Sequence, residues 1–357
     1  MVSRFLNLNK LFFLIMIGSQ LLGFYSGAQT QQRSSEFVVK KNKKEPTASR
    51  MKLVVYTHRN AQLIKLLFDE YKKETGTEIE FLTGEPGALI ERIAGEGSGT
   101  PADIFISVDS GTLWLATQKR LFSPVESKKL RDRIPSFLRD PQNHWFGLSL
   151  RARAIMYNKD SVDPAKIHDY LNLASSEWKG QLCLRSSKKV YNQSLVAHLL
   201  SDFGTKKTQE TVSGWVRNLA VPVFENDTRL LEAVSRGDCK IAIANSYYLG
   251  RLQKENKTLN VGVFFPPNTH MNISGAGIIR WSRNKGEAQK FIEWMTSEVG
   301  QKLFADSNLE YPVVNSVDPD PIVKAWGVPK PSKSFPLFRA GELQREAMAI
   351  IKSAKYE

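Results

Sequence analysis

At 357 residues the chain is too long for one small core and fits two lobes of roughly 100 to 200 residues each. Its formal charge is +14, from 50 Lys and Arg against 36 Asp and Glu. No aromatic-basic platform or recognition-helix pattern accompanies that charge, so nucleic acid is set aside as a partner and attraction to an anionic membrane surface is kept.

The first segment carries Arg4 and Lys10, an apolar stretch over residues 11–18, and Ser26-Gly27-Ala28. Ser19 and Gln20 break the run short of the roughly 20 residues that a spanning helix needs. Residues 1–28 therefore read as a signal peptide cleaved near Ala28. No twin-arginine pair precedes the run and no cysteine follows it, which favours a general secretory route to a soluble periplasmic product. Residues 29–50 hold Arg33, Lys40, Lys41, Lys43, Lys44 and Arg50 against Glu36 and Glu45, and read as a disordered basic leader.

From Met51 the pattern is α/β. The strand Leu53-Val54-Val55-Tyr56 precedes a helix with the apolar face Leu63, Leu66, Leu67 and Tyr71, closed by Gly76. Residues 79–82 predict the next strand, followed by the Gly84-Glu85-Pro86-Gly87 turn, a helix bearing Leu89, Ile90 and Ile93, and the strand Asp103-Ile104-Phe105-Ile106. Such alternation implies a parallel sheet. The run Gly95-Glu96-Gly97-Ser98-Gly99 follows a helix and lacks the Lys-Ser/Thr ending of a phosphate loop, so it reads as a helix exit. A second α/β stretch covers residues 161–265, with strands near 181–184, 221–224 and 240–244. Residues 144–150 and 154–157 are extended segments linking the lobes, 262–267 offer a second crossing, and 273–281 return to the first lobe. Two crossings make a hinge. The first lobe takes residues 51–150 plus about 274–314, and the second 151–273 plus about 315–357. A helix bearing Ala288, Phe291, Ile292 and Met295 and a last helix over about 341–354 complete the chain.

The two cysteines, Cys183 and Cys239, both lie in the exported part, where one disulfide is the default and a pair of buried thiols the other outcome. Their spacing excludes a CxxC site.

Three tyrosines fall where α/β folds place ligands, after strand C-termini and at the first turn of the next helix. The strand over 240–244 ends at Asn245-Ser246, where Ser246 is placed to cap a helix beginning with Tyr247 and Tyr248. The strand over 181–184 leads through a polar loop to Tyr191-Asn192-Gln193-Ser194. Phenolates at both places gain from free backbone N–H groups and the helix dipole. Fe³⁺ favours anionic oxygen, and three phenolates neutralise its three charges, which neutral imidazoles cannot do. A tyrosine starts from a pKa near 10, so metal binding expels protons. The competing account is ring packing with a hydrogen-bonded hydroxyl. His58, at the end of the first strand, is placed to add a nitrogen ligand. Arg59 is either a partner for a companion anion or a ligand phenolate, or a surface ion-pair residue, and Arg251 either lines the pocket or is solvated. His144, His168, His198 and His270 show no ligand spacing and read as structural. No Gly-x-Ser-x-Gly, His-Glu-x-x-His, Walker or Cys-x-x-Cys motif supports an enzyme, and Asp103 and Asp109 read as a strand-start residue and a helix cap.

Several segments, in this order, resemble the cyanobacterial FutA-type ferric-iron substrate-binding proteins. They are Pro101-Ala102-Asp103-Ile104-Phe105-Ile106, Asp109-Ser110-Gly111-Thr112-Leu113-Trp114, His144 through Arg153, Tyr157-Asn158-Lys159-Asp160, Tyr191-Asn192-Gln193-Ser194 and Asn245-Ser246-Tyr247-Tyr248. The resemblance covers nearly all of residues 52–357. It implies a type II two-lobe periplasmic binding protein, α/β with parallel-rich sheets, closing on Fe³⁺ as cargo, with Fe²⁺ allowed, and delivering it as a monomer to an ABC importer permease. Tyr191, Tyr247 and Tyr248 match the family motifs and take the ligand role. The first-lobe loop departs from the commoner Tyr-Ser-Ser-Arg-His-Tyr, because Thr57-His58-Arg59-Asn60 follows Tyr56. His58 stands in there, or else water, or Arg59 with an anion, completes the sphere. The resemblance also implies a Cys183–Cys239 disulfide joining the strands that lead to the tyrosines. A binder of an oxyanion or polyamine on the same fold is the alternative.

Overall fold

The structure is a computed structural model and describes residues 51–256, 258–331 and 335–357. The signal peptide and leader expected over residues 1–50 lie outside them. Strand β1 (Lys52–Thr57) buries Leu53, Val55 and Tyr56, and helix α1 (Ala61–Thr75) follows it. Asn60 caps α1 by accepting from the Gln62 N–H, and Gly76 ends it at φ 75°, a left-handed conformation that glycine adopts without strain. The buried stripe is Ile64, Leu67, Phe68 and Tyr71. Leu66, expected on that face, is 51% exposed, because it lies about 100° around the helix from Leu67.

Then come β2 (Glu78–Thr83), α2 (Pro86–Glu96), β3 (Ile104–Ser107), α3 (Ser110–Gln118), β4 (Phe122–Ser123), α4 (Lys128–Arg133) and β5 (Phe146–Asn158). The glycine run is the exit of α2, a single tight turn over Gly97–Gly99. Asp109 caps α3 by accepting from the Thr112 N–H, while Asp103 accepts from the Val54 N–H and the Ser282 hydroxyl. Next are β6 (Leu182–Cys183), α5 (Val190–Arg217), α6 (Asp227–Arg236), β7 (Ile241–Asn245), α7 (Ser246–Glu255), β8 (Val261–Phe264) and β9 (Met271–Ile279). The chain finishes with α8 (Lys285–Met295), α9 (Glu298–Asn308), β10 (Tyr311–Pro312), α10 (Pro321–Ala325) and α11 (Gln344–Ser353). Helix α5 is interrupted at Gly204, whose φ of 73° and ψ of 172° no helical residue shares.

The strands follow the order β2-β1-β3-β9-β5-β7-β6, with β4 beside β9, and β8 and β10 beside β5. Parallel pairing, as alternation predicts, holds at the two ends: β1 with β2 and β3, and β6 with β7. The middle is antiparallel. There β5 and β9 run against each other, Phe146 opposite Ala276 through Ala152 opposite Met271, and each continues into a different end, β5 onto β7 and β9 onto β3. These two strands join two lobes.

The two extended segments expected over 144–157 are thus one strand of 13 residues. The second crossing is β9 and not residues 262–267. There β8 pairs only with Ile155–Asn158 at the far end of β5, and Pro266-Pro267, lacking N–H donors, cannot continue it. The strand expected at 221–224 reduces to an isolated bridge between Arg185 and Phe224, because Pro222 removes a ladder donor. Ala288, Phe291, Ile292 and Met295 are all buried on α8. Cys183 and Cys239 are disulfide-bonded with Cα atoms 5.9 Å apart, tying the end of β6 to the entry of β7. Among the described residues no helix is long and apolar enough to cross a membrane.

Candidate metal centre

Strands β6 and β7 are parallel neighbours, so the loops leaving their C-terminal ends emerge at one edge of the sheet. Tyr191 is the second residue of α5, and Tyr247 and Tyr248 are the second and third of α7. Neither helix has a side-chain cap, so first-turn N–H groups and the positive helix ends remain available to charge on the phenols. Ser246, expected as the α7 cap, is instead the first helical residue. Asn245 takes the cap position with extended backbone, and the Ser246 hydroxyl accepts from the Ala152 N–H at 3.3 Å, pinning α7 to β5.

A cleft of about 560 Å³ is lined by the three tyrosines, by His58, Arg59 and Glu85 from the other lobe, and by Arg151, Arg251 and Glu310. The Tyr247 and Tyr248 ring centres are 4.4 Å apart. The Arg151 guanidinium lies 5.5 Å from the Tyr191 ring centre, and Arg185 lies 5.2 Å from Tyr191 and 5.8 Å from Tyr248. Arg251 lies 4.8 Å from Tyr247 and 5.7 Å from Tyr248. These are cation–π distances, and a guanidinium is never deprotonated, so the arginines permanently favour negative charge on the phenol oxygens. Burial nonetheless raises the Tyr191 pKa, against the Arg151 charge. It raises that of Tyr247 well above its ordinary value, and negative charge on Tyr191 or Tyr248 would raise it further. Both phenols are therefore neutral near pH 7, and a strongly polarising cation is needed to expel their protons.

His58 lines the same cleft, and its buried Nδ1 has no hydrogen-bond partner among the described residues. Burial holds its pKa below the ordinary histidine value, against the pull of Glu85 and Asp109, so the ring is neutral and carries a free lone pair. Arg59 lines the cleft and is not the surface ion-pair residue of the alternative reading. It is 5% exposed, and its guanidinium donates to Ser274, to Asn308 at 2.7 Å and to Glu310 at 3.2 Å, and lies 4.6 Å from the Phe304 ring centre. Arg251 lines the cleft, half-buried over the two tyrosines.

Residues 67–330 match the family described as bacterial extracellular solute-binding proteins. The chain belongs to this family. Iron uptake protein A1 of Synechocystis is 36% identical over 97% of this chain and 96% of its own length. A Trichodesmium FutA structure in complex with iron and citrate is 39% identical, covers 86% of this chain and 100% of its own, and has a TM-score of 0.80. A ferric binding protein from Campylobacter jejuni is 34% identical, covers 85% of this chain and 100% of its own, and also has a TM-score of 0.80. The FutA-type resemblance and the two-lobe fold are upheld. Where these names give an oxidation state it is ferric, and the allowance for Fe²⁺ is not carried further.

Two arginines of this solute-binding protein, Arg151 in the cleft and Arg153 behind it, were not among the expected site residues. Arg151 and Arg153 are two apart on β5, hence on one face, and each is 2% exposed. Buried guanidiniums require anions, hydrogen bonds or π faces, so the Leu-Arg-Ala-Arg-Ala pattern in an otherwise apolar strand was a readable signal. Arg185 had no such signal, because its partners come from other segments. His144 bonds Asp140 at 2.9 Å, His198 bonds the Asn268 carbonyl at 3.0 Å, His270 is buried, and none of the four remaining histidines lines the cleft. A larger cavity of about 750 Å³, bounded by Leu150, Met271, Phe335 and Leu337, has no phenol or carboxylate in its lining.

Proposed function

We propose that this chain captures ferric iron in the periplasm and delivers it to the permease of an ABC importer, with Tyr191, Tyr247 and Tyr248 as anionic oxygen ligands and His58 as a nitrogen ligand from the opposite lobe. The observation that carries the reading is the convergence of three phenols from two uncapped helix starts into one cleft ringed by guanidiniums. A hard trivalent cation displaces the phenol protons, and the three phenolates balance its charge. Arg151, Arg185 and Arg251 then face phenolates, and their cation–π contacts with the rings favour a ligand that makes the phenols anionic. A polyamine would be repelled. That the relatives are named for iron supports the same choice.

The first lobe, residues 51–150 plus about 274–314, brings His58 to metal already held by the second, and closure shields the ion from hydrolysis. β5 and β9 are the flexing elements. The protein acts as a monomer without turnover chemistry, after removal of residues 1–28 as a signal peptide. The test is a titration of residues 29–357 with ferric citrate, recording the visible spectrum. A phenolate-to-iron charge-transfer band is expected in the wild type and lost in the Tyr247→Phe, Tyr248→Phe double variant. A wild type without the band, or a double variant that keeps it undiminished, sinks the assignment.

A further inference from the structure

Outside the cleft lies a buried polar network that the ligand set alone does not explain. Asp227, the first residue of α6, is 0% exposed. Its Oδ2 accepts from Arg153 Nη1 at 2.6 Å and from the Asn245 N–H at 3.1 Å, and lies 3.5 Å from Arg185 Nη1. Arg153 uses its other nitrogen, Nη2, to donate to Asn192 Oδ1 at 2.8 Å. Asn192 Nδ2 in turn donates to the carbonyls of Arg185 at 2.8 Å and Ser186 at 3.1 Å.

Each end of this network abuts a tyrosine. Asn245 is the cap residue of α7, two positions before Tyr247, and Asn192 directly follows Tyr191. Arg185 is the guanidinium that faces both Tyr191 and Tyr248. One carboxylate therefore reaches the start of α7 directly, the start of α5 through Arg153, and the cation between their rings. Replacing a buried charge network by apolar residues is often neutral or stabilising, so stability gives no reason to keep a carboxylate here. What it supplies, and apolar contacts do not, is a directed set of bonds that fixes the register of two helix starts.

We propose that Asp227 is a positioning residue for metal capture, setting the spacing of Tyr191 against Tyr247 and Tyr248 without touching the ion. The proposal rests on the reading that those tyrosines hold the iron. Partners that orient metal ligands, when lost, typically weaken metal affinity about 10–100-fold. Asp227→Asn keeps the shape and the acceptor oxygen but removes the charge, and Asn192→Ala cuts only the arm to α5 and leaves the Asp227–Arg153 pair in place.

The experiment measures ferric affinity by competition with citrate, and the charge-transfer band at saturating iron, at a temperature where circular dichroism shows each variant folded. Asp227→Asn is expected to lose about 10–100-fold in affinity with a shifted or weakened band, and Asn192→Ala to move the same way by less. A variant with a lower melting temperature but wild-type affinity and spectrum gives Asp227 a merely structural role and overturns the proposal. Should Asp227→Asn not fold, Asn192→Ala decides alone, and its wild-type affinity and band overturn the proposal equally. An undiminished band in the Tyr247→Phe, Tyr248→Phe variant refutes the ligand reading itself, a result independent of either network variant.

Discussion

Glu310→Gln tests whether the buried ion pair beneath the cleft carries stability. Glu310 and Arg59 are both nearly inaccessible, at 3% and 5% exposed. Burial alone would raise the Glu310 pKa. The charges of Arg59 and Arg151 outweigh it, with the Ser149 and Arg59 hydrogen bonds added, and hold the carboxyl below its ordinary range. Removing one member of a buried pair costs about 3–5 kcal/mol, because the other charge is left uncompensated. Asn308, Ser274 and the new amide oxygen still accept from Arg59, which places the expected loss near the lower limit, about 3 kcal/mol. With a urea slope of roughly 3 kcal/mol per molar, the unfolding midpoint falls by about 1 M, followed at pH 7 by tryptophan fluorescence. The pair Arg59→Met, Glu310→Gln removes both charges and is expected to regain most of the loss. Because the folded pKa is depressed, this stabilisation is present above the unfolded carboxyl pKa and is lost as pH falls through the folded one. The gap between wild type and Glu310→Gln therefore narrows in acid. A Glu310→Gln midpoint within roughly 0.2 M of wild type at pH 7 would refute the argument.

Iron affinity should rise with pH. The Tyr191 and Tyr247 pKa values are raised, so both phenols are protonated in the empty site between pH 5 and 7, and each loses its proton on binding. Because the metal displaces the protons of all three ligand phenols, the logarithm of the association constant should climb by about three per pH unit when the competitor's own titration is subtracted, and a pH-independent constant would exclude phenolate ligands. The Cys183–Cys239 bond closes a loop with a sequence separation of 56, for which chain entropy predicts about 4 kcal/mol. Cys183→Ala with Cys239→Ala should lower the melting temperature by about 8 °C, and an unchanged melting temperature would show that the cross-link does not constrain the unfolded chain.

Local periodicity determined much of this protein. Alternating strands and helices, the exit glycines after α2, the Asp109 cap, the buried face of α8 and the placement of Tyr191, Tyr247 and Tyr248 at helix starts all follow from neighbours within a few residues. Those are distances over which backbone geometry repeats. The disulfide partners were legible because only two cysteines exist. Tertiary structure alone decided the rest. It made β9 the second crossing in place of residues 262–267, and joined Arg59 to Ser274 and Glu310, partners 215 and 251 positions away. It also gathered Arg153, Arg185, Asn192 and Asn245 around Asp227. A buried charge must find its counter-charge wherever the packed chain brings one, and that choice is made by the closing of the core, which no short stretch of sequence contains.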